Sequence, residues 1–307
     1  MADLKAETER LLAASMAENT RHTYEAAADS FNYFRYTFNL QPTWPAPLDH
    51  IVKFIAYMST KNLAPASIRT YISGLSYMHK IQGFEDATRS FIVTKLLEGA
   101  RRSFQSLDTR APITLSILVQ LITALDKVCA SSYEASLFRV AFCLAFFGFL
   151  RVGELTSTSV KRYDPRPLRF SDIEIVTCSG RRQVRLTIRQ SKTDQLGRSS
   201  TLFLAEMGGP ACPVDSLVKY LAVRYHGASN NSQLLVHLDG NPLTRHQFSC
   251  ILAKALKFSN INQGHFRSHS FRIGAATEAA LRGIPDVVIK KWGRWNSDAY
   301  CSYIRFA

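Results

Sequence analysis

Acidic side chains are scarce in this chain. Its 307 residues hold 24 Asp and Glu against 38 Lys and Arg, for a formal net charge of +14. The resulting pI is near 9.7. A chain so short of carboxylates is built to meet a polyanion, either nucleic acid or an anionic membrane surface. The shortage is uneven. Residues 1–110 hold 13 Lys and Arg against 11 Asp and Glu, whereas residues 111–307 hold 25 against 13, so the second part carries the electrostatic footprint. Cysteines are few and scattered, at Cys129, Cys143, Cys178, Cys212, Cys250 and Cys301. None lies in a Cys-x-x-Cys pair, which removes zinc-ribbon and thioredoxin readings. A reduced intracellular compartment is the setting this usage implies. Long apolar runs are missing too. The longest, Val140 to Leu150, falls well short of the ~20 residues a bilayer-spanning helix needs, and reads as a buried helix that contains Cys143. The N-terminus is charged and amphipathic, with no secretory signal. There is no internal repeat or low-complexity tract. There is also no cluster of carboxylates and no His/Cys ligand spacing, so neither metal nor cofactor is expected.

Hydrophobic residues make up 46% of the chain, and its length suffices for two domains. The first part is periodic in the helical sense. Tyr24, Ala27, Ala28, Phe31, Phe34 and Phe38 share one face. Pro42, Pro45 and Pro47 then break the chain. Leu48, Ile51, Val52, Ile55 and Met58 mark a second helix. Pro65 suits the first turn of a third, with Gly83 near its end, and Ile92, Val93, Leu96, Leu97 and Ala100 give a fourth. The reading places a helical domain over 1–105, a linker over 106–112 and a second domain over 113–307. Leu115 to Val128 and Ala135 to Leu150 read as buried helices. The period then drops to two in Ile173-Glu-Ile-Val and Val184-Arg-Leu-Thr-Ile, joined by a turn at Ser179-Gly180. Thr201-Leu-Phe-Leu is a third strand candidate, and helices return from Pro213. The expected fold class is mainly α with a small β-sheet.

Several polar residues stand out by order and spacing. Leu150-Arg151-Val-Gly-Glu154-Leu155 follows the buried helix, and an arginine ending a greasy helix is expected to emerge in a cleft rather than as a solvated cap. His269 and Arg272 are spaced i, i+3, which puts them on one helix face. Trp292-Gly-Arg-Trp295 and Tyr300-Cys-Ser-Tyr303-Ile-Arg305 close the sequence. Arginine offers a planar fork of donors matching phosphate oxygens in pairs. Histidine donates a hydrogen bond or moves a proton near neutral pH. Tryptophan donates only. Tyrosine can hold a covalent phosphate. Together these form a kit for handling one phosphodiester without a metal.

In their order these elements resemble the tyrosine recombinases of the phage-integrase and Cre class. The wording of 293–305 is nearest to recombinases of eukaryotic mobile elements of the DIRS and Crypton kinds. The resemblance is strong over 145–155 and 265–305, moderate over 185–205 and weak over 1–110. It implies a two-domain protein, a helical core-binding domain followed by an α+β catalytic domain, that acts on double-stranded DNA in the nucleus and assembles on it as a synaptic tetramer. It further implies that Arg151 and Arg272 bind the scissile phosphate and that Glu154 orients the arginines. His269 would contact a nonbridging oxygen and take the tyrosine proton. Trp295 would stand where many members have a second histidine. Lys192, on a hairpin loop, would protonate the departing 5′ oxygen, with Lys161 and Arg181-Arg182 as nearby basic alternatives. The nucleophile would be Tyr303 or Tyr300. Tyr303 is followed by Ile-Arg and lies eight residues past Trp295, where members more often show nine, whereas Tyr300 lies five past, so Tyr303 is preferred. A tail beyond the nucleophile often docks into a neighbouring protomer in such proteins. Only four residues follow Tyr303, and a monomer off DNA is expected. The competing readings are a type IB topoisomerase, a domesticated DNA-binding protein without activity and, least favoured, a metal nuclease.

Overall fold

The computed structural model describes residues 2–104, 108–161, 163–189, 199–224 and 232–305. It consists of two compact units, residues 1–108 and 109–307. Unit 1 is helical: α1 (Ala2–Ala14), α2 (Glu18–Thr37), α3 (Leu48–Thr60), α4 (Pro65–Ile81) and α5 (Phe91–Ser103). The four helices read from the sequence are present, and the proline-rich stretch separates α2 from α3. Phe31, Phe34, Phe54, Ile55, Met58, Ile68, Leu75 and Val93 form the core. Arg35 is buried with them, its guanidinium over the ring of Phe31, with Nη1 donating to the Thr43 carbonyl at 2.8 Å and Nη2 to Asn32 at 2.6 Å, so a cation is carried inside by two satisfied nitrogens and an aromatic face while its Nε has no partner. The sequence reading missed α1. Its described side chains are exposed all round, Leu4, Leu11 and Leu12 among them, so no buried core contact marks it.

Unit 2 begins with α6 (Leu115–Val128), capped by the Thr114 hydroxyl, and α7 (Ser132–Phe147), capped by Ser131. From Val140 to Phe146 helix α7 is buried on every side, which accounts for the uninterrupted apolar sequence there. It ends at Phe147, three residues earlier than the expected Leu150. Phe149 takes a left-handed φ of 48°, and Gly148 and Leu150 donate back to the carbonyls of Leu144 and Ala145, closing the helix. A short α8 (Val152–Leu155) follows. The sheet is an antiparallel meander of β1 (Ile173–Cys178), β2 (Arg181–Ile188) and β3 (Ser200–Ala205), in that order. Ile175 pairs with Val184, and Leu186 with Leu202. The β1–β2 turn puts Ser179 and Gly180 at φ 50° and 76°, as a two-residue hairpin requires. Val184, Leu186, Ile188, Leu202 and Leu204 turn one face of the meander into the core. Then come α9 (Pro213–Val223), α10 (Arg245–Phe258), α11 (Ser270–Leu281) and α12 (Asp286–Gly293), and a 3-10 turn over Asp298–Tyr303.

The start of unit 2 is pinned to its far end. Ala111 donates to the His265 carbonyl at 2.7 Å and Ile113 to the Ser270 carbonyl at 3.0 Å. Most of the segment read as linker is therefore part of unit 2. The approach at α11 is so close that a Cβ on Gly274 would lie 1.7 Å from the Ile113 carbonyl oxygen, a contact only glycine permits. Among the described residues no helix is long and apolar enough to cross a membrane.

Candidate active site

The site grows out of the end of α7. A helix terminus leaves carbonyls without intrahelical partners. Here two buried arginines cap them. Arg272, on α11, donates to the Phe149 carbonyl and, at 2.9 Å, to that of Gly293. Arg294 donates to the carbonyls of Gly148 and Phe149, at 3.3 Å each. The reversal at Phe149 aims these carbonyls at α11 and α12, and it delivers Arg151 to the first position before α8. Arg151 is bound by Glu154 twice: its backbone N–H donates to Oε2 at 2.9 Å and its guanidinium to Oε1 at 3.2 Å.

Glu154 is buried and also accepts from Arg294 Nη2 at 2.6 Å. One carboxylate thus holds two cations, one from each end of unit 2. Arg294 stands just past α12 in the left-handed region, φ 55°, which turns its side chain inward. The sequence reading passed over Arg294. A signal was there: Arg294, not Trp295, lies nine residues before Tyr303, the more frequent spacing noted above.

Arg272 is 1% exposed and its guanidinium lies 4.6 Å from the Trp295 ring centroid and 5.6 Å from that of Tyr303. Its Nε is buried without a hydrogen-bond acceptor. A buried unpaired donor costs ~1–3 kcal/mol, a deficit that an anion would remove. Burial, then Arg151 and Arg294, push the Arg272 guanidinium down to about 9, the mark of a site overloaded with cations. Trp295 is itself buried, and its ring lies where a Cβ on Gly293 would be, 1.7 Å away at the closest. That glycine lets the indole fold back against Tyr303, with centroids 5.0 Å apart.

His269 immediately precedes α11, and its ring stacks on that of Tyr303 at 6.4 Å. Burial first, then Arg110, Arg272, Arg245 and Arg151, push the imidazole down to about 4, so it is neutral at pH 7. The two tyrosines differ sharply. The Tyr300 hydroxyl donates to Asp286 at 2.7 Å and the residue is buried. This bond and the nearby carboxylate raise its phenol pKa. Tyr303 is half-buried, between His269, Arg272 and Trp295. It is held from behind by Thr277, whose hydroxyl donates to the Tyr303 carbonyl at 3.3 Å and accepts from the Arg305 N–H at 3.0 Å. The structure therefore brings Arg151, Glu154, His269, Arg272, Trp295 and Tyr303 into one neighbourhood, and Tyr300 faces Asp286 beside it. Lys192 lies outside the described residues, on the β2–β3 connection. Of the nearby basic alternatives, Lys161 is exposed, and Arg182 of the Arg181-Arg182 pair is engaged by Glu206 and by Asp215 at 2.7 Å.

A mainly helical unit with a three-stranded meander, gathering two buried arginines, a histidine and a tyrosine at one corner, has the features of a class of strand-cutting enzyme. The chain matches the phage integrase family over residues 113–303 and belongs to that family of tyrosine recombinases. Among solved structures, it is similar to a lambda integrase dimer bound to a COC′ core site, with a TM-score of 0.64 and 17% identity over 98% of this chain and 75% of that one. The XerH site-specific recombinase bound to a palindromic difH substrate matches with a TM-score of 0.63 and 15% identity, over 91% and 73%. The Tn1549 transposon integrase in complex with circular intermediate DNA matches with 0.60 and 15%, over 99% and 95%. At such identities these likenesses establish the fold. No curated protein matches the chain.

Proposed function

We propose that the protein is a site-specific DNA recombinase of a mobile element, of the DIRS or Crypton kind that the wording of 293–305 resembles, working in the nucleus. Tyr303 attacks a DNA phosphorus. A bond forms between its phenolic oxygen and phosphorus while the bond to the 5′ oxygen breaks, leaving a 3′-phosphotyrosine and a 5′-hydroxyl. A 5′-hydroxyl of a second duplex then reverses the step. Bond energy is kept in the link, so the exchange needs no external energy source. The single observation that carries this reading is the seat of Tyr303, between a neutral imidazole and a buried guanidinium with an unpaired N–H.

The roles follow from the chemistry. Arg151 and Arg272 bind the nonbridging oxygens and stabilise charge at the pentacovalent phosphorus, an effect usually the largest in such catalysis. His269, neutral before DNA arrives, has a lone pair for the Tyr303 proton. A bound phosphate offsets the surrounding arginines and raises its basicity as the proton must be taken. The Trp295 indole holds the faces of Arg272 and Tyr303 in register. Lys192 is assigned the leaving-group proton by resemblance. The core-binding role of unit 1, the grip on duplex DNA and a synaptic tetramer belong to the same proposal, supported by DNA-bound relatives of the same fold.

A suicide DNA substrate, nicked so that the cleaved 5′ end diffuses away, tests this. With excess EDTA present, the protein is expected to form a DNA adduct that survives denaturation. An adduct that vanishes with EDTA, or DNA cut without an adduct, would contradict the proposal.

A further inference from the structure

Beside His269 a cavity of about 390 Å³ opens between the start of unit 2, α10 and the segment before α11. Arg110, Arg245 and Arg267 line it, with Ser249 and Ser268, over a floor that includes Phe266. No carboxylate is among its described lining residues. None of these arginines belongs to the group around Tyr303, yet the cavity shares the His269 side chain with that site.

Two of the arginines have their backbones fixed in advance. Arg110 sits between residues strapped to His265, whose Nδ1 lies 3.1 Å from the Thr109 carbonyl and whose own carbonyl accepts from Ala111 at 2.7 Å. Arg305, two residues past Tyr303, donates to the Arg110 carbonyl. The backbone of Arg110 is thus tied to the nucleophile's own segment. Arg245 begins α10, a helix of 14 residues capped by Thr244, and its N–H donates to the Ser157 carbonyl at 3.0 Å. Its side chain lines the cavity together with Ser249, one turn on. Arg267 differs, since its Nη1 donates to the carbonyls of Gln263 and Phe266 at 2.9 and 2.7 Å, which holds it to the rim. Three arginines around a cavity with no carboxylate among its described lining residues make an anion site. It adjoins the place where a phosphodiester would be cut, and the phosphates of one strand follow each other every ~3.4 Å of helix axis.

We infer that this cavity seats a second phosphate of the DNA strand, next to the one held by Arg151 and Arg272, with Arg110 and Arg245 as its ligands. This rests on the reading of the protein as a DNA strand transferase. Holding the neighbouring phosphate fixes the strand against sliding, so the scissile phosphorus stays in line with Tyr303.

The test uses the full chain and a mixed-sequence duplex, with affinity followed against salt. For the parent, log affinity falls with log salt by ~0.9 per phosphate contact. The double variant Arg110→Gln with Arg245→Gln is expected to show a slope shallower by roughly 0.9. Arg110→Lys with Arg245→Lys should keep the parent slope, and Arg282→Gln, away from the cavity, should leave it unchanged. A steep parent slope that the Gln pair does not alter overturns the cavity assignment alone. A flat parent slope overturns the DNA reading with it. On a duplex the protein cuts, neutral methylphosphonates placed one at a time beside the cut should find one position that weakens parental binding and not that of the Gln pair. Equal losses in both proteins at every position would refute the adjacency.

Discussion

Glu154 carries two guanidinium groups, and at the scale of single residues this shapes the site more than any other contact. Its pair with Arg294 is closed to solvent, with both side chains 7% exposed. Breaking a buried pair by removing one partner costs ~3–5 kcal/mol, whereas replacing both charges is far milder. Arg294→Met is therefore expected to lower the melting point strongly, and Arg294→Met combined with Glu154→Gln to recover much of it. The double variant should still trap little DNA, because Arg151 has lost the anion that orients it. Equal melting of Arg294→Met and the parent would remove the pair from the account. The spacing to Tyr303 pointed to Arg294, but its role could not be read from it: its partner lies 140 positions away, and its inward turn depends on a left-handed backbone that an arginine rarely adopts. Arg151, His269, Arg272 and Tyr303 were legible because side chains that handle phosphate are few in kind and stood here in a distinctive order. Lys192 was named by position only, and it falls outside the described residues.

At the scale of elements, periodicity foretold what packing rewards. Helices with one apolar face, and strands β2 and β3 with alternate buried residues, were readable, and β1 was readable from its period-two sequence although none of its residues is buried. Helix α1, exposed on all sides, was not, and neither was the stop of α7 at Phe147, which depends on the reversal at Phe149. Nor does any pattern announce that α11 lies against the segment at Ile113. There Gly274 leaves no room for a methyl group. Gly274→Ala is expected to destabilise unit 2 by ~1–3 kcal/mol or more, as overpacking does. Gly99→Ala, in α5 with open space around it, should be neutral or stabilise by ~0.5–1 kcal/mol. Calorimetry on both variants decides this, and a harmless Gly274→Ala would mean that α11 can shift away from Ile113 at little cost, leaving Arg272 less firmly placed than described.

At the scale of the whole molecule, the charge imbalance of residues 111–307 and the fold of unit 2 converge. The basic part of the sequence is the part that matches the phage integrase family, and it holds the corner where cations outnumber the carboxylate between them. That excess is unfavourable in isolation, and on the proposed function it becomes favourable when a phosphodiester enters, so that binding and catalysis would draw on one arrangement. The central claim is that Tyr303, and not Tyr300, takes the phosphate. Covalent trapping on a suicide DNA substrate, run in parallel with Tyr303→Phe and Tyr300→Phe, tests it most directly. Tyr303→Phe removes one hydroxyl and should abolish the adduct while leaving DNA affinity nearly unchanged. Tyr300→Phe, whose lost hydroxyl served Asp286, should still form it. An adduct that persists in Tyr303→Phe, or is lost only in Tyr300→Phe, would contradict the account.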